Sequence, residues 1–214
     1  MSFKLKTRWL GRIGYEKGME LQESLVREKI AGESNDDLLL LEHDPVYTMG
    51  RSRNESSLGE ENRLPHPIHR TNRGGQATYH GPGQLVGYPI LNLNRKGHDL
   101  HRYLRFLEEV IIDILAEYSV QGIRREGLTG VWVKESKIAS IGIGVRRWIS
   151  MHGFALNVAK DLPGFDEIIP CGIAGVRMTS LSAECGEDLE THAVAQIAGR
   201  IFLRNLEMLP EGRF

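Results

Sequence analysis

Residues 130–158 read GVWVKESKIASIGIGVRRWISMHGFALNV, and their reading decides the fold. Three strands follow one another here, at 130–133, 137–145 and 151–158, with polar breaks between them. Upstream, Leu85 to Leu93 is also strand-like, and Asp99 is a good N-cap for a long helix. The apolar stripe of that helix is Leu100, Tyr103, Leu104, Leu107, Val110, Ile111, Ile114, Leu115 and Tyr118, with Gly122 expected to close it. Further out, Asp37 to His43 is an apolar run too short for a typical helix and reads as a buried strand. Val46 to Met49 is a second strand after the break at Pro45, and residues 51–67 read as a loop. Helices are expected at 16–31, where Met19, Val26 and Ile30 share a stripe, and at 189–208, where Val194, Ile197, Ala198, Ile201 and Phe202 do. Helices at both ends with grouped strands between them predict an α+β fold, a mixed sheet packed with helices.

The chain has 214 residues, which suits one domain spanning 1–214. Hydrophobic residues make up 41% and charged residues 26%, the balance of an ordinary globular protein. A formal net charge of −1 gives no electrostatic pointer to nucleic acid. No run approaches the length of a transmembrane helix, and the N-terminus lacks a signal-peptide core. The expectation is a reduced, cytoplasmic protein, with no membrane and no nucleic acid among its partners.

Two cysteines are present, and they differ in surroundings. Cys171 lies in Ile169-Pro170-Cys171-Gly172-Ile173, and no carboxylate follows until Glu184. A turn of this kind can expose sulfur to a substrate. Cys185 has Glu184 and Glu187 close by, and these disfavour a thiolate. Cys171 is therefore the candidate nucleophile.

Arg73-Gly74-Gly75-Gln76-Ala77-Thr78-Tyr79-His80-Gly81-Pro82-Gly83-Gln84 places four glycines among large polar side chains. This suits a pocket wall in which backbone approaches a ligand, although a glycine-rich hairpin gives the same pattern. It carries no Gly-x-Gly-x-x-Gly spacing, and no Gly-Lys pair occurs for a Walker loop. In the second strand, alternation predicts Lys137 on one face with Ala139, Ile141 and Ile143. A lysine there either snorkels to water or, near a cysteine, stabilises its thiolate and moves protons. His152 reads as a satisfied structural histidine. The pairs His66 with His69, and His98 with His101, lack a supporting metal-ligand set, so neither a metal nor a cofactor is expected.

Taken together, these segments closely resemble the lipoyl(octanoyl) transferase family. Residues 73–89 match its signature, and Glu42 to Thr48 with Gly50-Arg51 match an upstream motif. Gly130 to Val133, Lys137 to Gly142, His152 to Asn157, Pro170 to Ile173 and Thr179-Ser180-Leu181 follow in family order. Phe154, Ala77 and Met178 stand where Leu, Val and Val are usual. The resemblance implies the fold of biotin and lipoate protein ligases. It implies transfer of an octanoyl group from octanoyl-acyl carrier protein to a lysine of a lipoyl domain, the first step of endogenous lipoylation. Acceptors would be the lipoyl domains of 2-oxoacid dehydrogenase complexes and the glycine cleavage H protein. Cys171 would form the acyl-thioester with Lys137 as its partner. The acyl site would be lined by Arg73, Gly74, Gly75, Gln76, Ala77, Thr78, Tyr79 and His80, by Ser140, Ile141 and Gly142, and by Gly153, Phe154 and Ala155. Walls for an eight-carbon chain are expected from Ile141, Phe154, Ala155 and Leu156. Backbone amides of the Cys171-Gly172 turn or the Gly74-Gly75 loop are expected to meet the oxyanion. Arg124-Arg125 and Arg146-Arg147 are candidate contacts for an acidic donor. The rivals are an ATP-dependent ligase of the same fold, a non-catalytic acyl-carrier-binding protein, and an amidotransferase working between lipoyl proteins.

Overall fold

The computed structural model describes residues 4–32, 35–52, 57–58, 61–95, 97–173 and 175–209, and leaves the Cys171 side chain outside the description. Part of the expected loop at 51–67 therefore lies outside the described residues. In chain order the elements are β1 (Leu5–Ile13), α1 (Tyr15–Ile30), β2 (Asp36–His43), β3 (Val46–Met49), β4 (Ile68–Arg70), β5 (Ala77–His80) and β6 (Gln84–Ile90). There follow α2 (Leu100–Ala116), β7 (Ile123–Arg125), β8 (Leu128–Val133), β9 (Ser136–Arg146), β10 (Ile149–Asn157), β11 (Arg177–Met178), α3 (Leu181–Cys185) and α4 (Thr191–Met208). The large sheet runs β1-β2-β6-β10-β9-β8-β7, with β11 added beside β9. The pairs β1/β2 and β11/β9 are parallel and the others antiparallel, so the sheet is mixed as expected. A second, small sheet runs β4-β3-β5.

Both faces of the large sheet are covered, which explains why β2 is a leucine run and does not alternate with polar residues. Leu38 and Leu40 join Tyr103, Leu107, Val110, Ile111 and Ile114 of α2 and Val194, Ala198, Ile201 and Phe202 of α4. Leu39 and Leu41 pack on the opposite face with Leu25 and Val26 of α1. A third cluster, with Tyr47, Tyr79 and Phe165, packs against the small sheet. Among the described residues no helix is long and apolar enough to cross a membrane.

The expected α2 begins as read: the Asp99 side chain accepts from the Arg102 amide at 3.0 Å. It does not run on to Gly122. Ser119 adopts φ +58 and the Val120 amide bonds Leu115 O, closing the helix earlier. The expected β6 also ends early, at Ile90. Five strands and α3 were not expected. β1 is a charged edge strand with little period-2 signal. β5 is four residues long and buried in the glycine-rich segment, β4 and β11 are shorter still, and β7 is exposed.

Candidate active site

Lys137 is the first surprise. Val133 opposes Ser136 and Trp132 opposes Lys137, but Val131 opposes Ala139, so β9 carries one extra residue. Ile138 and Ala139 consequently both join the α2/α4 core. Alternation then resumes with Ile141, Ile143 and Val145 toward that core. The bulge thus corrects the sequence expectation: Lys137 does not share a face with Ala139, Ile141 and Ile143 but lies on the other one, with Ser140 and Gly142. It is 1% exposed. Its Nζ donates to Thr129 O at 3.1 Å and sits 4.8 Å from the Trp132 ring centroid. Gly130, at φ +126, makes room: a Cβ there would stand 2.8 Å from Lys137 Cε and 2.6 Å from Ala139 O.

On that same face four small residues sit side by side. Ala155 pairs with Ser140 on one side and Val86 on the other, and Gly153 pairs with Gly142. Where side chains are missing, the sheet surface is hollow. The result is a narrow pocket, with about 50 Å³ open to a water-sized sphere. Tyr15, Val86 and Tyr88 wall one side; Arg73, Gly75 and Gln76 lie on the loop opposite; Thr78 and His80 reach in from the small sheet. Ser140, Ile141, Gly142, Gly153, Phe154 and Ala155 also border it.

Among the described residues, Lys137 does not border the pocket, the Cys171 side chain lies outside the description, and three of the nominated acyl-site residues do not border the pocket either. Ala77 and Tyr79 point the other way on β5, into the cluster with Phe165, because adjacent strand residues face opposite sides. Gly74 is tied to β9 through its amide, which donates to Ile143 O at 2.8 Å. The expected chain walls need correction too. Phe154, Leu156 and Ile141 have their side chains in the α2/α4 core, and Leu156 does not reach the pocket. Tyr15, Val86, Tyr88 and His152 border it without having been nominated. His152 was visible in the sequence, and its left-handed φ of +56 is what turns it aside from regular strand geometry.

The polar groups around the pocket are held in place. Arg73 is buried; its Nη2 donates to Thr48 O, Thr48 Oγ1 and Gln76 O at 2.7–2.9 Å, and its Nη1 donates to Gly74 O at 2.9 Å. His80 Nδ1 meets Gln84 Oε1 at 2.8 Å, His152 Nε2 meets Asn72 Oδ1 at 2.6 Å, and His43 Nε2 meets the Tyr88 hydroxyl at 2.7 Å. Burial, reinforced by the Arg73 charge, lowers His152 to about 3. Burial and the neighbouring His43 lower His80 to about 3, and burial lowers His43 to about 4. All three imidazoles are neutral at pH 7. Burial raises Tyr15 to about 12, against a smaller opposing pull from Arg73.

The Cys171 turn meets this arrangement at Gln76, whose carboxamide lies against Gly172. Pro170–Gly172 forms a single 3₁₀ turn in which the Gly172 amide donates to Ile169 O at 2.9 Å and the Ile173 amide donates to Pro170 O at 3.1 Å. The turn is anchored by Ile169, whose amide donates to Ser57 O at 2.9 Å. Gly172 has φ +66, and a side chain there would overlap the Gln76 carboxamide. Just downstream, Met178 pairs with Lys137 and the Thr179 amide donates to Lys137 O at 2.9 Å. The segment carrying Cys171 is therefore tied to Ser57 at one end and to the Lys137 backbone at the other. Cys185 is a free thiol at the end of α3, with its Sγ 4.0 Å from Ser182 O and Glu187 O.

Three of the four arginines nominated for partner contact are engaged within the chain. Arg124 bonds Glu108 and Glu109, Arg125 bonds Glu135 at 2.8 Å, and Arg146 forms a two-pronged pair with Glu23 at 2.7 Å.

A helix-covered mixed sheet with a hollowed face defines the catalytic fold of the lipoate and biotin protein ligases. The described structure is similar to the bipartite lipoate protein ligase of Thermoplasma acidophilum, with TM-score 0.72 and 17% identity over 96% of this chain and 85% of that one. It is also similar to a biotin protein ligase of Aquifex aeolicus solved with biotin and ATP, with TM-score 0.62 and 16% identity over 94% and 70%. Residues 14–202 match the lipoyl protein ligase A/B catalytic domain family. With 52% identity to the octanoyltransferase of Syntrophotalea carbinolica, over 90% of this chain and 88% of that one, the chain belongs to the octanoyltransferases, enzymes that transfer acyl groups.

Proposed function

We propose that the protein moves an octanoyl group from octanoyl-acyl carrier protein to the amine of a lysine on a lipoyl domain, through a thioester on Cys171. The domain acting would be the whole chain, 1–214, in the cytoplasm. The observation that carries this reading is the bulge in β9. It turns Lys137 onto the hollowed face, and the strand that follows the Cys171 turn is hydrogen-bonded to the backbone of that same lysine.

In the first step the Cys171 thiolate attacks the donor carbonyl carbon. A C–S bond forms and the carbonyl π pair moves onto oxygen. Collapse returns the pair and expels the donor thiolate, which takes a proton from the Lys137 ammonium. In the second step the acceptor lysine amine attacks the new thioester. A C–N bond forms, the Cys171–carbonyl bond breaks, and neutral Lys137 takes the amine proton. The charged lysine and the thiolate are then restored. One thioester replaces another of similar energy and an amide follows, so no ATP is consumed. The floor of Ala155, Gly153, Ser140 and Gly142 would accept the chain.

Intact-protein mass spectrometry after incubation with octanoyl-acyl carrier protein tests the reading. One octanoyl mass, lost to hydroxylamine and absent from Cys171→Ala, is expected. Modification of the acceptor from free octanoate and ATP, with no enzyme adduct, would overturn it in favour of a ligase. Lys137 has its own test. Lys137→Met should shift iodoacetamide alkylation of Cys171 toward the ordinary thiol value of about 8.5. Lys137→Arg should acylate yet transfer poorly, since guanidinium does not deprotonate. Equal rates in both steps for Lys137→Arg would remove its proton-transfer role.

A further inference from the structure

Two of the amides expected to meet the oxyanion are committed elsewhere. Gly172 N donates within its own turn, and Gly74 N donates to Ile143 O. A different donor stands nearby. Gln76 borders the pocket, and its carboxamide lies against the Cα of Gly172, the residue after Cys171. Its Oε1 is buried and has no hydrogen-bond partner among the described residues. A buried carboxamide oxygen left without a donor costs free energy unless rotation of the group or a ligand supplies the bond. The Gln76 backbone, in contrast, is clamped: its carbonyl accepts from Arg73 Nη2 at 2.9 Å and from Gly50 N at 3.3 Å. The side chain thus hangs from a fixed point beside the Cys171 turn, and rotation of the carboxamide about its last bond can turn the N–H group toward a ligand. Thr78 Oγ1 is likewise buried without a partner, but it lies on β5 and the Gln76 carboxamide is what touches Gly172.

We propose that the Gln76 side-chain amide is a catalytic hydrogen-bond donor, receiving the acyl oxygen as its negative charge develops in both steps. This rests on the Cys171 reading above. A donor preorganised at that oxygen strengthens its bond only when the π pair has moved onto it, so it lowers the barrier more than it tightens binding.

The test compares two reactions of the same sulfur. Acylation by octanoyl-acyl carrier protein builds an oxyanion; alkylation by iodoacetamide displaces iodide and builds none. Gln76→Met keeps length and bulk and removes the N–H group. Single-turnover acylation and deacylation at saturating substrate should each fall by about 10²–10³-fold, with alkylation kept within about threefold. Gln76→Ala should give the same split, and thermal melting checks that both variants fold. Acylation at the parent rate in Gln76→Met would overturn the role of Gln76 alone. A parallel fall in alkylation would also overturn it, showing that Gln76 only shapes the turn. A parent protein that takes up no octanoyl group would overturn the Cys171 reading, and this assignment with it.

Discussion

The two faces of β9 and β10 are built from alternate residues of the same strands, yet they do opposite things. Toward α2 and α4 they present Ile141, Ile143, Phe154 and Leu156, which fill a core. Toward α1 and the small sheet they present Ser140, Gly142, Gly153 and Ala155, which leave a hollow. Bulk on one face holds the strands in place while its absence on the other makes a site. A binding pocket in a sheet can therefore be a patch of omitted side chains, rigid because its reverse side is fully packed.

That contrast predicts a clean separation of effects. The largest belongs to the pocket side. Cys171→Ala should lose at least ~10⁴-fold in octanoyl transfer while melting like the parent, and Cys185→Ala should change turnover little. Near-normal transfer by Cys171→Ala would break the covalent scheme.

Next comes the core side. The Phe154 ring lies over Gly87, whose lack of a Cβ it needs. Phe154→Ala should cost about 3–5 kcal/mol in denaturant unfolding, and Leu156→Ala about 2–5 kcal/mol. The intervening residue should behave differently: Ala155→Val puts methyl groups into the hollow and should cut octanoyl acylation by about 10–200-fold, with a smaller stability loss of about 1–3 kcal/mol. If Ala155→Val acylates normally, the chain does not lie on this floor.

Acid offers a third separation, because the buried imidazoles among the described residues, His43, His80 and His152, are all on or beside the pocket. Their folded values, about 4, 3 and 3, lie below the unfolded value of about 6.5, so the unfolded chain binds more protons between these limits. Their stability contribution is whole above about pH 6.5 and falls as pH drops, by up to about 1.4 kcal/mol per pH unit for each. His152→Asn tolerates the left-handed backbone there and should lose less stability than the parent between pH 7 and pH 5. An equal loss in both proteins would show that His152 is not among the groups that titrate. The smallest effect is expected at Arg146, whose exposed pair with Glu23 already uses its charge. Arg146→Ala should cost about 1 kcal/mol or less and barely move the Michaelis constant for the donor; a large, salt-sensitive rise would restore it as a docking contact.

Much was legible in advance where the signal was local. The long stripe of α2, the leucine run of β2 and the three strands from 130 to 158 declare themselves by periodicity. The short or charged pieces β1, β4, β5, β7 and β11 do not, because their pairing partners, rather than their own residues, make them strands. The chemistry-bearing types were legible for a similar reason: one cysteine away from carboxylates, one lysine in an apolar strand, one loop dense in glycine. Tertiary structure alone decided which way they face. Alternation put Lys137 with Ile141, and a single bulged residue put it with Ser140 instead, since period-2 logic fails across any register shift. The same applies to Ala77 and Tyr79, which share a motif with Thr78 and His80 but face away, and to Gln76, whose position against Gly172 depends on two segments far apart in sequence. Sequence fixes residue type and local period, whereas contact between distant segments follows from how the sheet is registered and packed.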